Sequence, residues 1–294
     1  MRVSRRPKFF GLYAELSPSL QRVLPVLLFA IAILTYLVAS YTAHMMEWKA
    51  ARLMPSFIDM GQKFIELAVG RNPAEHSLLE ILEQSDLAND TLASLVRLLS
   101  GVALSSSAGL LVGVNMALFP GMRLVALNFV TFCSNIPAVT LIPLILIVFG
   151  TGDTSKVTLI FVGTVFFITR DTFLATCAVP REQMVKACTL GASQLEVVYE
   201  VIMPQVLPRL IDSTRIALGA AWIFLITAEA IAADQGLGFR IFLLRRYMAM
   251  DGIYPYVAWI SILAFSIDRA LVSLMRHQFP WYQVSGEQKK GEKA

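Results

Sequence analysis

Cysteine and histidine are almost missing from this chain, with three of each in 294 residues. Cys133, Cys177 and Cys188 have neither paired nor metal-ligand spacing, which excludes a disulfide framework or a zinc site. His44, His76 and His277 are scattered, and no nucleophile–base–metal constellation is predicted from them. Charged residues make up only 16% of the chain, against about 25% in a soluble domain. Gly150-Thr151-Gly152-Asp153-Thr154-Ser155-Lys156 has the look of a phosphate loop but lacks the G-x-x-x-x-G-K-[ST] spacing. Catalysis, and ATP hydrolysis in particular, is therefore not expected of this chain. The net charge of +4 is modest. Its basic residues sit near the ends of apolar runs, a topology signal and not a nucleic-acid footprint.

Apolar residues are what the chain has in excess: 56% of it is hydrophobic, with a mean hydropathy of +0.64. Several runs reach about 20 residues, enough to cross roughly 30 Å of hydrocarbon. They are continuous, not alternating, so helices are predicted and a closed barrel is not. The fold class is all-α and polytopic, with spans near 23–42, 92–119, 125–149, 157–178, 211–233 and 253–275. The first span, extended to 23–43, is too long for a cleaved signal and has no small-residue cleavage site, so it is a retained anchor.

Arg2, Arg5, Arg6, Lys8 and Arg22 precede it against Glu15 alone, which places segment 1–22 in the cytoplasm. Six spans then put the tail, 276–294, on the same side. Residues 44–91 are acidic, with Glu47, Asp59, Glu66, Glu75, Glu80, Glu83, Asp86 and Asp90. Phe57, Met60, Phe64 and Leu67 recur there at helical spacing, as do Leu78, Leu79 and Leu82, predicting short amphipathic helices on the outer surface. Pro120-Gly121-Met122-Arg123 is expected to be a turn. Pro137 and Pro143 are expected to bend the third span. Arg240, Arg245 and Arg246 fall on the outer side against the positive-inside rule, and short re-entrant or interfacial helices, whose long Arg side chains snorkel, are the expected explanation.

A polar interruption between the fourth and fifth spans carries most of the functional signal. It reads Met184-Val185-Lys186-Ala187-Cys188-Thr189-Leu190-Gly191-Ala192-Ser193, then Val201-Ile202-Met203-Pro204 and Leu207-Pro208. Gly191 is predicted to turn the chain with positive φ between two short helices, and Pro204 and Pro208 to stop the second one before span five.

This stretch resembles the E-A-A-x-x-x-G-x(9)-I-x-L-P loop of type I ABC importer permeases. The second alanine, the glycine and the proline are present. Val185, Lys186 and Met203 stand where the family has its glutamate, first alanine and last leucine. Leu190-Gly191-Ala192-Ser193 is the form of the nitrate/sulfonate/taurine branch. Further matches are Ser94-Leu95-Val96-Arg97-Leu98, Ile136-Pro137, Leu141-Ile142-Pro143-Leu144, Phe149 through Lys156, Ala228-Glu229 and Gly236-Leu237-Gly238. The run from Ala228-Glu229-Ala230 to Trp259 looks like permeases for urea- and guanidine-type compounds.

The resemblance implies a permease core over 92–275 with a cytoplasmic coupling loop at 180–209. ATPase coupling falls to Lys186, Ala187, Leu190, Gly191, Ala192, Ser193, Glu196 and Pro204. Two ATP-binding subunits, which hold ATP and Mg, are implied as partners, with a second permease copy or paralogue and a periplasmic solute-binding protein. This chain itself is expected to hold no cofactor, to lie in a bacterial inner membrane, and to pass a small nitrogen- or sulfur-containing solute. Asn135, Pro137, Thr227 and Glu229 are the candidates for the translocation path. Glu229 is an ionisable group inside an apolar run, which marks either a solute path or a structural partner for another span. The competing class, a secondary transporter or membrane-embedded enzyme, calls for charge relays, histidine clusters or an inverted repeat.

Overall fold

The computed structural model describes residues 18–45, 54–69 and 85–282. The chain divides into two compact units, Met1–Gln62 and Lys63–Ala294. In the first, α1 (Pro18–Met45) covers the expected first span, and its described apolar run is Ala30–Thr42. The hydroxyl of Tyr36 donates to the Pro55 carbonyl at 2.9 Å and that of Ser40 to the Met54 carbonyl at 3.1 Å. These bonds hold the entry to α2 (Phe57–Val69), the helix read from Phe57, Met60, Phe64 and Leu67. The Leu78-Leu79-Leu82 pattern lies outside the described residues.

The second unit is built on α3 (Asp86–Leu118), α4 (Pro120–Ser134), α5 (Ile142–Phe149), α6 (Asp153–Cys177), α7 (Arg181–Thr189), α8 (Gln194–Glu196), α9 (Met203–Ala232), α10 (Leu237–Arg246) and α11 (Met250–Gln278). Among the described residues, four helical stretches are long and apolar enough to cross a membrane: 86–118, 153–177, 194–232 and 250–278. The α4–α5 pair makes a fifth if it is one span. In α1 the described apolar stretch, Ala30–Thr42, is shorter than these spans.

Several boundaries differ from those the sequence suggested. The second span starts at Asp86, because Ser85 caps it, accepting from the Ala88 amide at 3.2 Å. The acidic residues 86 and 90 are thus the first turns of a span and not part of an outer surface helix. Pro120 opens α4, where a missing N–H costs nothing, so the expected turn there shrinks to Phe119 alone. The third span is not gently bent but broken by 88°. Asn135, whose side-chain amide donates to the Thr131 carbonyl at 2.8 Å, ends α4. Pro137 then caps a 3-10 turn, Ala138–Leu141. Pro143 contributes no bend, because it sits in the first turn of α5.

Helices α3 and α6 lie along each other over much of their length. The reason is a four-residue repeat of small side chains, Gly101, Ser105, Gly109 and Gly113, which lets the backbones approach. A Cβ on Gly113 would stand 2.7 Å from the Thr169 carbonyl oxygen. At Ser105 the seam is also bonded, since Thr164 donates to its hydroxyl at 2.7 Å. Leu98, Val102, Ile160, Leu218, Leu225, Leu237 and Tyr256 fill the core between α3, α6, α9, α10 and α11.

Candidate functional site

The polar interruption folds as a compact helical hook. Helix α7 places Glu182 in its first turn and Lys186 in its last, each matching the helix dipole. It ends in a Schellman motif: the Gly191 amide donates to Cys188 at 3.0 Å and the Ala192 amide to Ala187 at 3.0 Å. That motif needs a left-handed residue, and Gly191 has φ +92°. Ser193 and Glu196 then close a capping box: the Ser193 amide donates to the Glu196 carboxylate at 2.6 Å, and the Glu196 amide to the Ser193 hydroxyl at 3.3 Å.

The prolines do not stop the chain that follows. A π-helical turn, Val197–Ile202, leads directly into α9. The Met203 amide bonds five residues back, to Val198. This widening removes the clash that Pro204 would otherwise make with the carbonyl four residues behind it. Pro204 lies in the first turn of α9, and Pro208 lies inside the helix. The expected helix stop is therefore a helix bulge.

The hook has two faces. Val197, Ile202 and Val206 are buried with Val114 of α3 and Val179, and Ala187, Ala192 and Met184 pack on them. Facing outward are Lys186, Gly191, Ser193 and Glu196, together with Val185, Leu195, Tyr199 and Leu190, the last 88% exposed. The outward face thus carries exposed apolar side chains on an otherwise polar segment.

At the opposite end of α9 the structure assembles a cluster that the sequence reading did not foresee. Glu229 is fully buried. Its carboxylate accepts from Arg97 at 2.7 Å, from the Ser94 hydroxyl at 2.8 Å and from the Gly238 amide at 2.9 Å. Arg97 also donates to Asp153 of α6 and to the Gln235 carbonyl, each at 2.8 Å. The turn before α10 is held amide by amide, Gly236 donating to Asp90 at 2.8 Å and Leu237 to Ser94 at 2.9 Å. Gly236 has φ +131°, and a Cβ there would meet the Glu229 carboxyl carbon at 2.5 Å.

Asp90 further accepts from Arg240 at 2.8 Å and from the Tyr256 hydroxyl at 3.2 Å, and Asp86 pairs with Arg240 at 2.8 Å. Burial works against the Arg240 charge, but the hydrogen bond to Asp90 and the charges of Asp90 and Asp86 outweigh it and raise its pKa. Arg240 is thus an ion-paired group and not a snorkelling one. Asp90, Ser94 and Arg97 share one face of α3 by their spacing of four and three, which is the signal in the sequence that points to this cluster.

The path candidates are not brought together. Asn135 and Pro137 are exposed at the α4–α5 break, and Thr227 bonds back to the Ile223 carbonyl of its own helix at 2.7 Å. None of them is a bonding partner of Glu229, whose partners are on α3 and in the first turn of α10.

Residues 105–282 match the family described as binding-protein-dependent transport system inner membrane component. The taurine transport system permease protein of Escherichia coli K12 is 33% identical over 190 residues, covering 65% of this chain and 69% of the relative. The nitrate import permease protein of Synechococcus elongatus is 28% identical over 185 residues, covering 60% and 65%. Among solved structures, an inward-facing MetNI methionine ABC transporter aligns with a TM-score of 0.56 at 21% identity, covering 64% of this chain and 94% of that one. At that identity the likeness is one of fold.

Proposed function

The chain belongs to the binding-protein-dependent transport system inner membrane component family, and from that premise we propose that its α7–π-turn hook is where an ATPase subunit docks. The chain is a permease subunit of an ABC importer, a multi-pass membrane protein of the nitrate/sulfonate/taurine branch, and not an enzyme. The observation that carries the docking role is the hook's division into a buried face seated on α3 and α9 and an exposed face with Leu190, Leu195 and Tyr199. A lever needs both a firm seat and a free surface.

In this reading Lys186, Leu190, Gly191, Ser193 and Glu196 present or shape the docking face. Ala187, Ala192 and Pro204 seat it. Two ATPase subunits, holding ATP and Mg, bind a pair of permease chains from the cytoplasm, and a binding protein delivers solute from outside. The solute is a small sulfur- or nitrogen-containing molecule, a class supported by the taurine and nitrate relatives. Urea and guanidine compounds remain within it through the Ala228–Trp259 resemblance. Thermal-shift screening of the cognate binding protein against taurine, nitrate, urea and guanidine tests the class, and stabilisation by none of the four counts against it.

Glu229 belongs, in this reading, to the structural cluster that fixes the outer end of the bundle. Asn135 and Pro137, exposed at the break between α4 and α5, are the better-placed path candidates.

Gly191→Pro tests the hook. Proline forces φ near −65° and deletes the amide that bonds Cys188. The permease is expected to accumulate and melt normally while ATPase co-purification and transport are lost. Undiminished co-purification disproves docking at the hook.

Sidedness has its own test. Helix α9 runs 30 residues, about 45 Å at 1.5 Å per residue, between the hook and α10. An impermeant maleimide applied to sealed cells is expected to label Tyr247→Cys and to spare Cys188. Inverted vesicles should give the reverse, and labelling of both positions from one side contradicts the proposed orientation.

A further inference from the structure

Beyond the hook, four consecutive residues of α9 are tied to three other helices and to the turn that follows one of them. The tie of Asp212 is to the Tyr282 hydroxyl, which donates to it at 3.1 Å just past the end of α11. Ser213 donates to Asp171 of α6. Thr214 shares a hydrogen bond of 3.0 Å with Ser106 of α3. Arg215 donates to Asp268 of α11 at 2.8 Å and back to Asp212 at 2.9 Å. Successive helical residues point about 100° apart, so four in a row sweep most of the helix circumference. That is the arrangement a hub needs, and a single amphipathic face cannot provide it. Asp212, Ser213 and Thr214 are buried.

We propose that Asp212–Arg215 is a transmission hub that passes movement of the coupling hook to α3, α6 and α11 together, with Arg215 and Asp268 as the positioning residues for α11. The inference rests on the docking role proposed for the hook. The hub lies ten residues beyond the last π-helical residue, Ile202, so about 15 Å up one continuous helix. Apolar contacts between packed helices permit small sliding movements. Directional bonds do not slide without breaking, and at the buried Asp212, Ser213 and Thr214 an unpaired partner is costly. Helices joined through the hub therefore move with α9 and keep their register against it.

The test uses the complex purified with its ATPase subunits and carrying His277→Cys at the inner end of α11. Maleimide labelling is followed by peptide mass at Cys188 on the hook and at position 277, with and without ATP and vanadate. The nucleotide is expected to change the labelling rate at both positions. Arg215→Gln should keep the change at Cys188 and abolish it at 277, and Arg215→Lys, which keeps a positive charge facing both Asp212 and Asp268, should retain part of it. If Arg215→Gln does not assemble, Asp268→Asn is read in the same way. A response at 277 that survives the substitution, or is missing from the parent complex, overturns the hub. A parent complex in which Cys188 itself does not respond instead refutes the docking role of the hook, and the hub falls with it.

Discussion

Arg97→Leu is expected to be the most damaging single substitution in the permease. It strands the fully buried Glu229 carboxylate, and removing one partner of a buried ion pair costs about 3–5 kcal/mol. The loss is not confined to one bond. The same guanidinium holds Asp153 of α6 and the Gln235 carbonyl, so the ends of α3, α6 and α9 remote from the hook and the turn into α10 lose a common fastener. Arg97→Lys retains the charge but cannot reproduce the fork of donors, and an intermediate loss is expected. Replacing the pair, Arg97→Met with Glu229→Met, should be less harmful than Arg97→Leu alone, because it leaves no unpaired charge at Glu229. Melting of the detergent-purified complex checks the order. Equal melting for Arg97→Leu and the parent would remove the cluster from the account of stability.

Glu229→Gln separates the two roles open to that carboxylate. Gln can still accept one hydrogen bond from Ser94 or Gly238, but it withdraws the charge facing Arg97. With the fastening role, the melting temperature falls first and transport per mole of intact complex stays level. A path role predicts the reverse: assembly holds and transport falls, more for a guanidinium solute than for a neutral one, since a bidentate charge-assisted bond is lost.

Gly113→Leu is expected to prevent α3 and α6 from closing. The first atom added meets the Thr169 backbone carbonyl at 2.7 Å and the Thr172 Cβ at 2.8 Å. A backbone carbonyl in the middle of a span cannot swing aside as a flexible side chain can. Overpacking of this kind costs about 1–3 kcal/mol and occasionally more, and here a whole isobutyl group follows the Cβ. Gly113→Ala carries the first part of the penalty and should fall between Gly113→Leu and the parent. Gly121→Ala is the matched control, since nothing lies within 4 Å of its added Cβ. It should be neutral or mildly stabilising. Yield of monodisperse complex and its melting temperature read the series, and a parent-like Gly113→Leu would contradict the close α3–α6 seam.

What the sequence determined is what depends on neighbours along the chain. Length and continuity of apolar runs set the helical, membrane-spanning class, because backbone groups in hydrocarbon must be satisfied within their own segment. The Schellman turn at Gly191 was equally legible, since left-handed φ selects glycine locally. The spacing of Ala187 to Gly191 and Pro204, together with the further matches from Ser94 to Gly238, pointed to the family.

Tertiary structure decided the rest. Proline signals a lost amide but not how the chain responds. Pro120 and Pro143 became helix starts, Pro137 marked an 88° break, and Pro204 was absorbed by a π turn whose burial against Val114 and Val179 holds it in place. The Glu229 cluster joins Asp90, Ser94 and Arg97 to residues between 56 and 166 positions away. Any one of those charges reads locally as a surface group or a span end. Only tertiary packing removes water from Asp90, Arg97 and Glu229 together, and with water gone each of these charges must find its partner inside the protein.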